Sequence, residues 1–246
     1  MSATVAVIGG TGMNQWPGLS ISRAQPVSTP YGDPSAPLTY GRVAGREVIF
    51  LPRHGEGHKI PPHLINYRAN LWALKDAGVR SVIAIASVGG IARSMKPAAV
   101  AVPDDVIDYT WGREHTFCDG VRAPLRHVEF NQPYAPVLRR ALLAGAKKAR
   151  VRLADGGVMG VTQGPRLESP AEIRRMKRDG CDMVGMTGMP EAALAREAGL
   201  DYATLAVSVN WAAGLGSGDI HGEIERSVAE GMRKVQAVLA RVLPAL

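Results

Sequence analysis

Groups that could bind an anion recur in short turns, each directly after an apolar run. Residues 9–12 (GGTG) offer backbone amides together with the hydroxyl of Thr11. Arg53 and His54 follow a second apolar run, and Thr187 follows a third. Amides, hydroxyls and a guanidinium all donate hydrogen bonds to an oxyanion, and α/β proteins bind ligands where strands end and helices begin. Each of these strand-end turns is therefore a candidate ligand site, and the GGTG turn and the Arg53–His54 turn could each hold an oxyanion.

The elements that position these turns are clearest between residues 162 and 199. Residues 169–172 (SPAE) form a capping box with proline at the first helical position, and a basic run marks the end of that helix. Residues 182–186 form a short apolar strand, and a second helix runs from the Thr187 turn to Gly199. The pattern of strand end, turn and helix thus occurs twice, as in an α/β sheet.

Strand and helix patterns alternate along the rest of the chain. The predicted strands are 4–8, 36–41, 46–51, 80–86, a pair within 99–108, 157–162 and 202–209. The predicted helices are 66–77, 133–148 and an amphipathic C-terminal helix from 221, while 87–90 is a predicted glycine turn and 110–132 a long loop. Successive short strands near the N-terminus indicate a mixed sheet. We therefore predict a single α/β domain over residues 1–246, with a central mixed β-sheet flanked by helices.

Three histidines, His54, His58 and His63, are the obvious candidates for a metal site. Their loop lacks the HExxH spacing of a zinc helix, and neither a cysteine nor paired carboxylates complete a tetrahedral set. A dinucleotide fingerprint at residues 9–12 would need a glycine at position 15, where the chain has Gln15. We therefore predict neither a metal nor a cofactor.

The composition admits a nucleic-acid partner without favouring one. The formal net charge is +7, yet the densest basic segment, 139–152, contains no aromatic residues on which bases could stack. A solvated helix face explains this segment better. No apolar run approaches the roughly 20 residues that span a bilayer, and Cys118 and Cys181 suggest reduced thiols rather than a disulfide. We predict a cytoplasmic protein with no nucleic-acid or membrane partner.

Several separated motifs, in matching order, give the chain a family resemblance. Residues 164–168 (GPRLE) and 184–191 (VGMTGMPE) resemble the signature of the trimeric purine nucleoside phosphorylases and S-methyl-5′-thioadenosine phosphorylases. Further matches are 8–12, 53–55, 66–74, 89–90 and 208–210. Within that family the chain resembles the bacterial S-methyl-5′-thioinosine phosphorylases. The resemblance implies a phosphorylase/hydrolase-like fold, inorganic phosphate as co-substrate and a homotrimer.

The resemblance also implies roles for individual residues. Those matched to phosphate contacts are Thr11, Arg53, His54 and Thr187, whereas Met186 packs on the ribose and Leu167 joins the nucleoside-binding set. Many members carry a phosphate-binding threonine or asparagine where this chain has Ala86. Either the adjacent Ser87 supplies that hydrogen bond or phosphate is held with one contact fewer.

Three histidines are matched to the 5′ side of the sugar or to a neighbouring subunit. His58 faces the 5′ group by this match, and His221 falls where ordinary purine nucleoside phosphorylases place a histidine against the 5′-hydroxyl. The methylthio enzymes have an apolar residue there, so the preference between 5′-methylthio and 5′-hydroxyl substrates stays open. His127 matches a histidine that reaches into the neighbouring site, although it would equally fit an ordinary surface position.

Glu168 and Asn210 point to a 6-oxopurine. The methylthioadenosine enzymes have a small residue where this chain has Glu168, and aspartates where it has Asn210 and Ala212. An amide can donate to O6 and accept from a protonated N7, and a carboxylate can accept from N1–H. Glu168 alone would also fit a surface helix cap, but the paired change favours base recognition.

The sequence thus predicts phosphorolysis of a 6-oxopurine nucleoside, with S-methyl-5′-thioinosine ahead of inosine and guanosine as substrate. This pentosyl transfer needs an anion on one face of the sugar and stabilisation of the charge that develops on the leaving base. The alternatives are an S-methyl-5′-thioadenosine phosphorylase and, more remotely, a non-catalytic protein that binds nucleosides or nucleic acid.

Overall fold

The computed structural model describes residues 4–13, 16–118, 120, 124–216 and 220–246, with side chains from Ile224 onward in the last range. Its strands are β1 (Thr4–Gly9), β2 (Ser20–Gln25), β3 (Leu38–Val43), β4 (Arg46–Pro52), β5 (Val79–Gly90), β6 (Val100–Val102), β7 (Asp105–Asp108), β8 (Ala154–Asp155), β9 (Val158–Val161), β10 (Cys181–Gly185) and β11 (Asp201–Trp211). Its helices are α1 (Tyr67–Asp76), α2 (Pro136–Ala149), α3 (Pro170–Arg178), α4 (Gly188–Glu197) and α5 (Ile220–Val242).

All these strands belong to one mixed sheet, which confirms the predicted fold class. Its main path runs β2-β3-β4-β1-β5-β10-β9-β7, and β11 lies beside β5 and continues to β6 and β8. Strand β5 is central, since it pairs in parallel with β1 and β11 and antiparallel with β10. Near the N-terminus, β3 pairs antiparallel with both β2 and β4, as the closely spaced turn signals predict.

Alternate residues of β5 enter two different parts of the core. Val82, Ala84 and Ala86 join the cluster that includes the apolar residues of α1 and α4. Ile83 and Ile85 join the cluster that includes those of α2 and α5. Because successive side chains of a strand point to opposite faces, the two helix pairs cover opposite faces of the sheet. Burial on both faces explains why this strand reads as a continuous apolar run.

The predicted glycine turn at residues 87–90 is wrong, because β5 continues through it to Gly90. A Cβ at Gly90 would collide with the carbonyl oxygen of Met95, so the residue is glycine to allow another backbone to approach. The capping box is confirmed, since Ser169 and Glu172 exchange both capping hydrogen bonds at the start of α3. Across the part of the chain that the structure describes, no helix is both long and apolar enough to cross a bilayer.

Candidate active site

A cleft of about 480 Å³ lies where several of these elements end. Its size is typical of a site for a small molecule. It is lined by ten of the predicted site residues: Thr11, Arg53, His54, His58, Ser87, Leu167, Glu168, Met186, Thr187 and Asn210. His127 is exposed and does not line this cleft, and the side chain of His221, at the start of α5, lies outside the described residues. Predicted site residues up to 199 positions apart in sequence, Thr11 and Asn210, therefore meet in one cleft.

Arg53 is buried and forms an ion pair with Glu191, a residue to which the sequence patterns assigned no role. Its Nε donates to Glu191 Oε2 at 2.6 Å, and its Nη2 donates to Glu191 Oε1 at 2.8 Å. The hydroxyl of Tyr202 donates to the same Oε1 at 2.8 Å. Burial lowers the pKa of the Arg53 guanidinium, whereas the nearby carboxylate of Glu191 raises it. The effect of Glu191 is the stronger, so the pKa is raised overall. The site thus contains a fixed positive group.

The bidentate edge of Arg53 is directed at Glu191 and not at the cleft. Its Nη1 donates to the carbonyl of Ile85 at 2.9 Å, which leaves one N–H on each of Nη1 and Nη2 for a ligand. Gly10 lies against the same group, since a Cβ there would be 2.7 Å from the Ile85 oxygen and 3.1 Å from Nη1. A glycine in this turn therefore allows the backbone to pack against the Ile85 carbonyl that accepts from Arg53.

His54 and His58 form a stacked pair on the loop that follows β4. Their ring centroids are 4.1 Å apart, and His54 Nδ1 lies 2.8 Å from the carbonyl oxygen of Ile60. Burial, together with the neighbouring charges of Arg53 and His58, lowers the pKa of His54 to about 4 although the Ile60 bond acts in the opposite direction. His54 is therefore neutral at pH 7. Within the described part of the chain, no three potential metal ligands come together.

The hydroxyls of Ser87 and Thr187 line the cleft and are available to a ligand. Ser87 Oγ is buried and has no hydrogen-bond partner among the described residues. Thr187 is the N-cap of α4, yet its side chain makes no capping hydrogen bond. A buried hydroxyl without a partner costs about 1–3 kcal/mol. Both groups are therefore suited to bind a polar ligand in the cleft.

Glu168 and Asn210 each have one hydrogen bond that fixes their orientation. Glu168 Oε1 accepts from the hydroxyl of Thr162 at 2.6 Å. Asn210 follows a register shift between β11 and β5, and its Nδ2 donates to the carbonyl of Trp211 at 2.6 Å. A bulge of this kind re-aims a side chain next to a ligand site. Each group keeps further hydrogen-bonding capacity for a ligand.

Arg113 is a structural component of the site that the sequence did not reveal. Its Nη1 donates to the carbonyls of Met186 and Met189 at 2.9 and 2.6 Å. Its Nη2 donates to those of Thr162 and Gln163 at 3.1 and 2.8 Å. It thus ties the segment before Glu168 to the segment around Thr187. A lone arginine in the 110–132 loop carries no motif, and only the length of that loop suggested a function.

Comparison with known proteins identifies the family. Residues 4–244 match the model of the phosphorylase superfamily. The chain belongs to the phosphorylase superfamily. A protein of Pseudomonas syringae pv. tomato, named a probable S-methyl-5′-thioinosine phosphorylase, is 52% identical over 98% of this chain and 98% of its own length. The 6-oxopurine nucleoside phosphorylase of Pyrococcus furiosus is 40% identical over 98% of this chain and 92% of its own.

A solved structure in this superfamily has the same fold over nearly the whole chain. It is a mutant adenosine/methylthioadenosine phosphorylase of Schistosoma mansoni in complex with methylthioadenosine. It aligns with a TM-score of 0.93 and 30% identity, covering 99% of this chain and 91% of that one.

Proposed function

We propose that this phosphorylase superfamily member cleaves the N-glycosidic bond of 6-oxopurine nucleosides with phosphate. S-methyl-5′-thioinosine is the favoured substrate, ahead of inosine and guanosine, and the products are the free purine and (5-methylthio)ribose 1-phosphate. The observation that carries this proposal is a single cleft lined both by anion-binding groups and by the pair Glu168 and Asn210. The names of the relatives from Pseudomonas and Pyrococcus support the same substrate class.

Phosphate is held by Thr11, Arg53, His54, Ser87 and Thr187 in this proposal. The positive charge of Arg53 and the unpartnered hydroxyl of Ser87 support it most directly. Hydrogen bonds between such groups and an anion are about twice as strong as those between neutral groups. The anion is thereby positioned to attack C1′ of the ribose, against which Met186 packs.

Asn210 and Glu168 stabilise the purine as it leaves. Negative charge develops on the base as the glycosidic bond breaks, so a donor directed at O6 and an acceptor that holds a proton at N7 lower the barrier. Asn210 donates to O6 and accepts from N7–H, while the carboxylate of Glu168 accepts from N1–H. The Thr162 hydroxyl keeps Glu168 in position for this contact. The reaction requires no covalent nucleophile, because phosphate itself is the attacking group.

The remaining predicted residues act at the 5′ side and between subunits. We place His58, His221 and Leu167 near the 5′ end of the nucleoside, and His127 in the site of a neighbouring subunit of a cytoplasmic homotrimer. A methylthioadenosine phosphorylase is the second candidate, and the similarity to the Schistosoma structure favours it. Glu168 and Asn210 weigh against it, since an aminopurine offers no N1–H to a carboxylate.

Base release from three nucleosides tests the proposal. S-methyl-5′-thioinosine, S-methyl-5′-thioadenosine and inosine would each be incubated with the enzyme, with and without phosphate. Phosphate-dependent release of hypoxanthine supports the proposal, and the ratio of the two hypoxanthine substrates determines the 5′ preference. Release of adenine alone would establish the second candidate. Binding to duplex DNA without any base release would instead favour a non-catalytic role.

Ser87→Ala should weaken phosphate binding while leaving nucleoside binding intact. Ser87 Oγ is buried without a partner among the described residues, so phosphate is its natural acceptor. A hydrogen bond to a charged group contributes about 1.5–3 kcal/mol, which corresponds to a rise in the phosphate KM of roughly 10- to 150-fold. Ser22→Ala, which removes an exposed serine on β2, is the matched control. An unchanged phosphate KM would mean that Ser87 does not replace the missing contact at Ala86.

A further inference from the structure

The hydrogen bond between His54 and Ile60 fixes which ring nitrogen can meet a ligand. A carbonyl oxygen can only accept, so Nδ1, at 2.8 Å from the Ile60 oxygen, must carry the hydrogen. His54 lines the cleft, and Nε2 is the other polar atom of its ring. Any hydrogen bond between this side chain and an anion in the cleft therefore involves Nε2, either as donor or as acceptor.

The surroundings of His54 keep the ring neutral. The residue is 8% exposed and follows Arg53 directly, and its ring stacks on that of His58 with centroids 4.1 Å apart. Burial is the largest of the effects that lower the pKa of His54 to about 4, followed by the charges of Arg53 and His58. Among the described residues, the other charged groups that line the cleft are Lys59 and Glu168. In a neutral imidazole with hydrogen on Nδ1, Nε2 has a lone pair and accepts hydrogen bonds.

We infer that His54 accepts a hydrogen bond from the bound anion and thereby selects an oxyanion that carries a proton, hydrogen phosphate, over one that carries none, such as sulfate. This inference rests on the proposed phosphate site. Hydrogen phosphate has one P–OH to donate to Nε2, whereas every oxygen of sulfate is an acceptor. The hydroxyls of Ser87 and Thr187 do not discriminate, because a hydroxyl both donates and accepts.

Sulfate can still occupy the site if the ring first takes up a proton. Nε2–H would then donate to sulfate, so the pKa of His54 would be higher in the sulfate complex than in the free protein, where it is about 4. A group whose pKa rises on binding makes the complex weaker as pH increases. Between pH of about 6 and 8, the sulfate Kd should increase about tenfold for each pH unit. Hydrogen phosphate donates its P–OH to Nε2, so the ring takes up no proton when phosphate binds.

Calorimetric titration tests this difference directly. Sulfate would be titrated into the protein at a pH of about 6, where its expected Kd is lower. Phosphate would be titrated at a pH of about 8, where it is mainly the dianion. Each titration would use two buffers with different ionisation enthalpies. The buffer dependence of the heat gives the number of protons taken up. We expect about one proton for sulfate and about none for phosphate. Arsenate, which also binds as a protonated dianion, should behave as phosphate does.

Two variants distinguish proton uptake by His54 from proton uptake by His58. His54→Gln, whose amide can donate without taking up a proton, should abolish the uptake with sulfate. His58→Gln removes the other ring of the pair and should retain the uptake. Sulfate binding without a proton, or phosphate binding with about one proton, would overturn the inference while leaving the proposed phosphate site in place. If neither anion binds, both the inference and the proposed function are wrong.

Discussion

Glu191→Ala should lose about 3–5 kcal/mol of unfolding free energy, because it leaves the buried guanidinium of Arg53 without a counter-ion. Both side chains are almost completely buried, at 1% and 0% exposure. Tyr202 loses the acceptor of its hydroxyl as well. For a chain of this length the melting temperature should fall by roughly 6–20 °C. Thermal unfolding monitored by circular dichroism measures the change.

The loss of stability should be accompanied by a loss of phosphorolysis, since Glu191 positions Arg53. The double variant Arg53→Met with Glu191→Leu separates the two effects. Apolar replacement of a buried ion pair is often neutral for stability. This variant should therefore melt above Glu191→Ala, although Tyr202 still lacks its acceptor, while its base release with phosphate is lost. Glu47→Ala breaks the exposed pair with Arg42 and should change the melting temperature little. A Glu191→Ala protein that melts with the wild type would show that this pair does not stabilise the site.

Much of the fold could be predicted because its signals are local. Alternation between apolar strands and capped helices identified β1, β4, β9, β10 and β11, and the capping box placed the start of α3 at Pro170. The polar turns of the cleft were visible for the same reason. Thr11, Arg53 and Thr187 each lie just beyond an apolar run. The ends of neighbouring strands meet at one edge of a sheet, which is where these residues line the cleft.

The supporting contacts could not be predicted, because they join residues that are far apart in sequence. Arg53 and Glu191 are 138 positions apart, and nothing near either residue indicates the other. The predicted turn at residues 87–90 failed for a related reason. Glycines usually punctuate elements, but Gly90 lies inside β5 to admit the distant carbonyl of Met95. Only the packed structure distinguishes these two uses of glycine.

Arg53 and Arg113 are both buried, and they stabilise the site by different means. Arg53 has a carboxylate partner, keeps its charge and lines the cleft. Arg113 pairs mainly with backbone carbonyls from residues 162–163 and from Met186 and Met189, and burial lowers its pKa. Arg53 therefore supplies positive charge to a ligand, whereas Arg113 holds together the two loops that carry Glu168 and Thr187. A rigid support of this kind keeps a site preorganised.

Asn210→Asp should shift the base preference of the enzyme toward 6-aminopurines. The Nδ2 bond to the Trp211 carbonyl fixes the amide so that a second N–H remains for O6 of a 6-oxopurine. An ionised aspartate offers only acceptors and would repel O6, whereas it can accept from the amino group of adenine. Loss of one donor to a developing negative charge costs about 10²–10³ in kcat. We expect kcat/KM for S-methyl-5′-thioinosine to fall by about that factor relative to S-methyl-5′-thioadenosine.

Steady-state kinetics with both nucleosides at saturating phosphate measure this shift. Asn131→Asp makes the same amide-to-carboxylate change at an exposed position and should leave the ratio unchanged. The melting temperature of Asn210→Asp must also be compared with the wild type, since the new carboxylate faces the Trp211 carbonyl. A ratio that moves further toward hypoxanthine, in a folded variant, would mean that Asn210 does not contact position 6 of the base. The selection of 6-oxopurines over 6-aminopurines would then depend on Glu168, which accepts from N1–H and is oriented by the Thr162 hydroxyl.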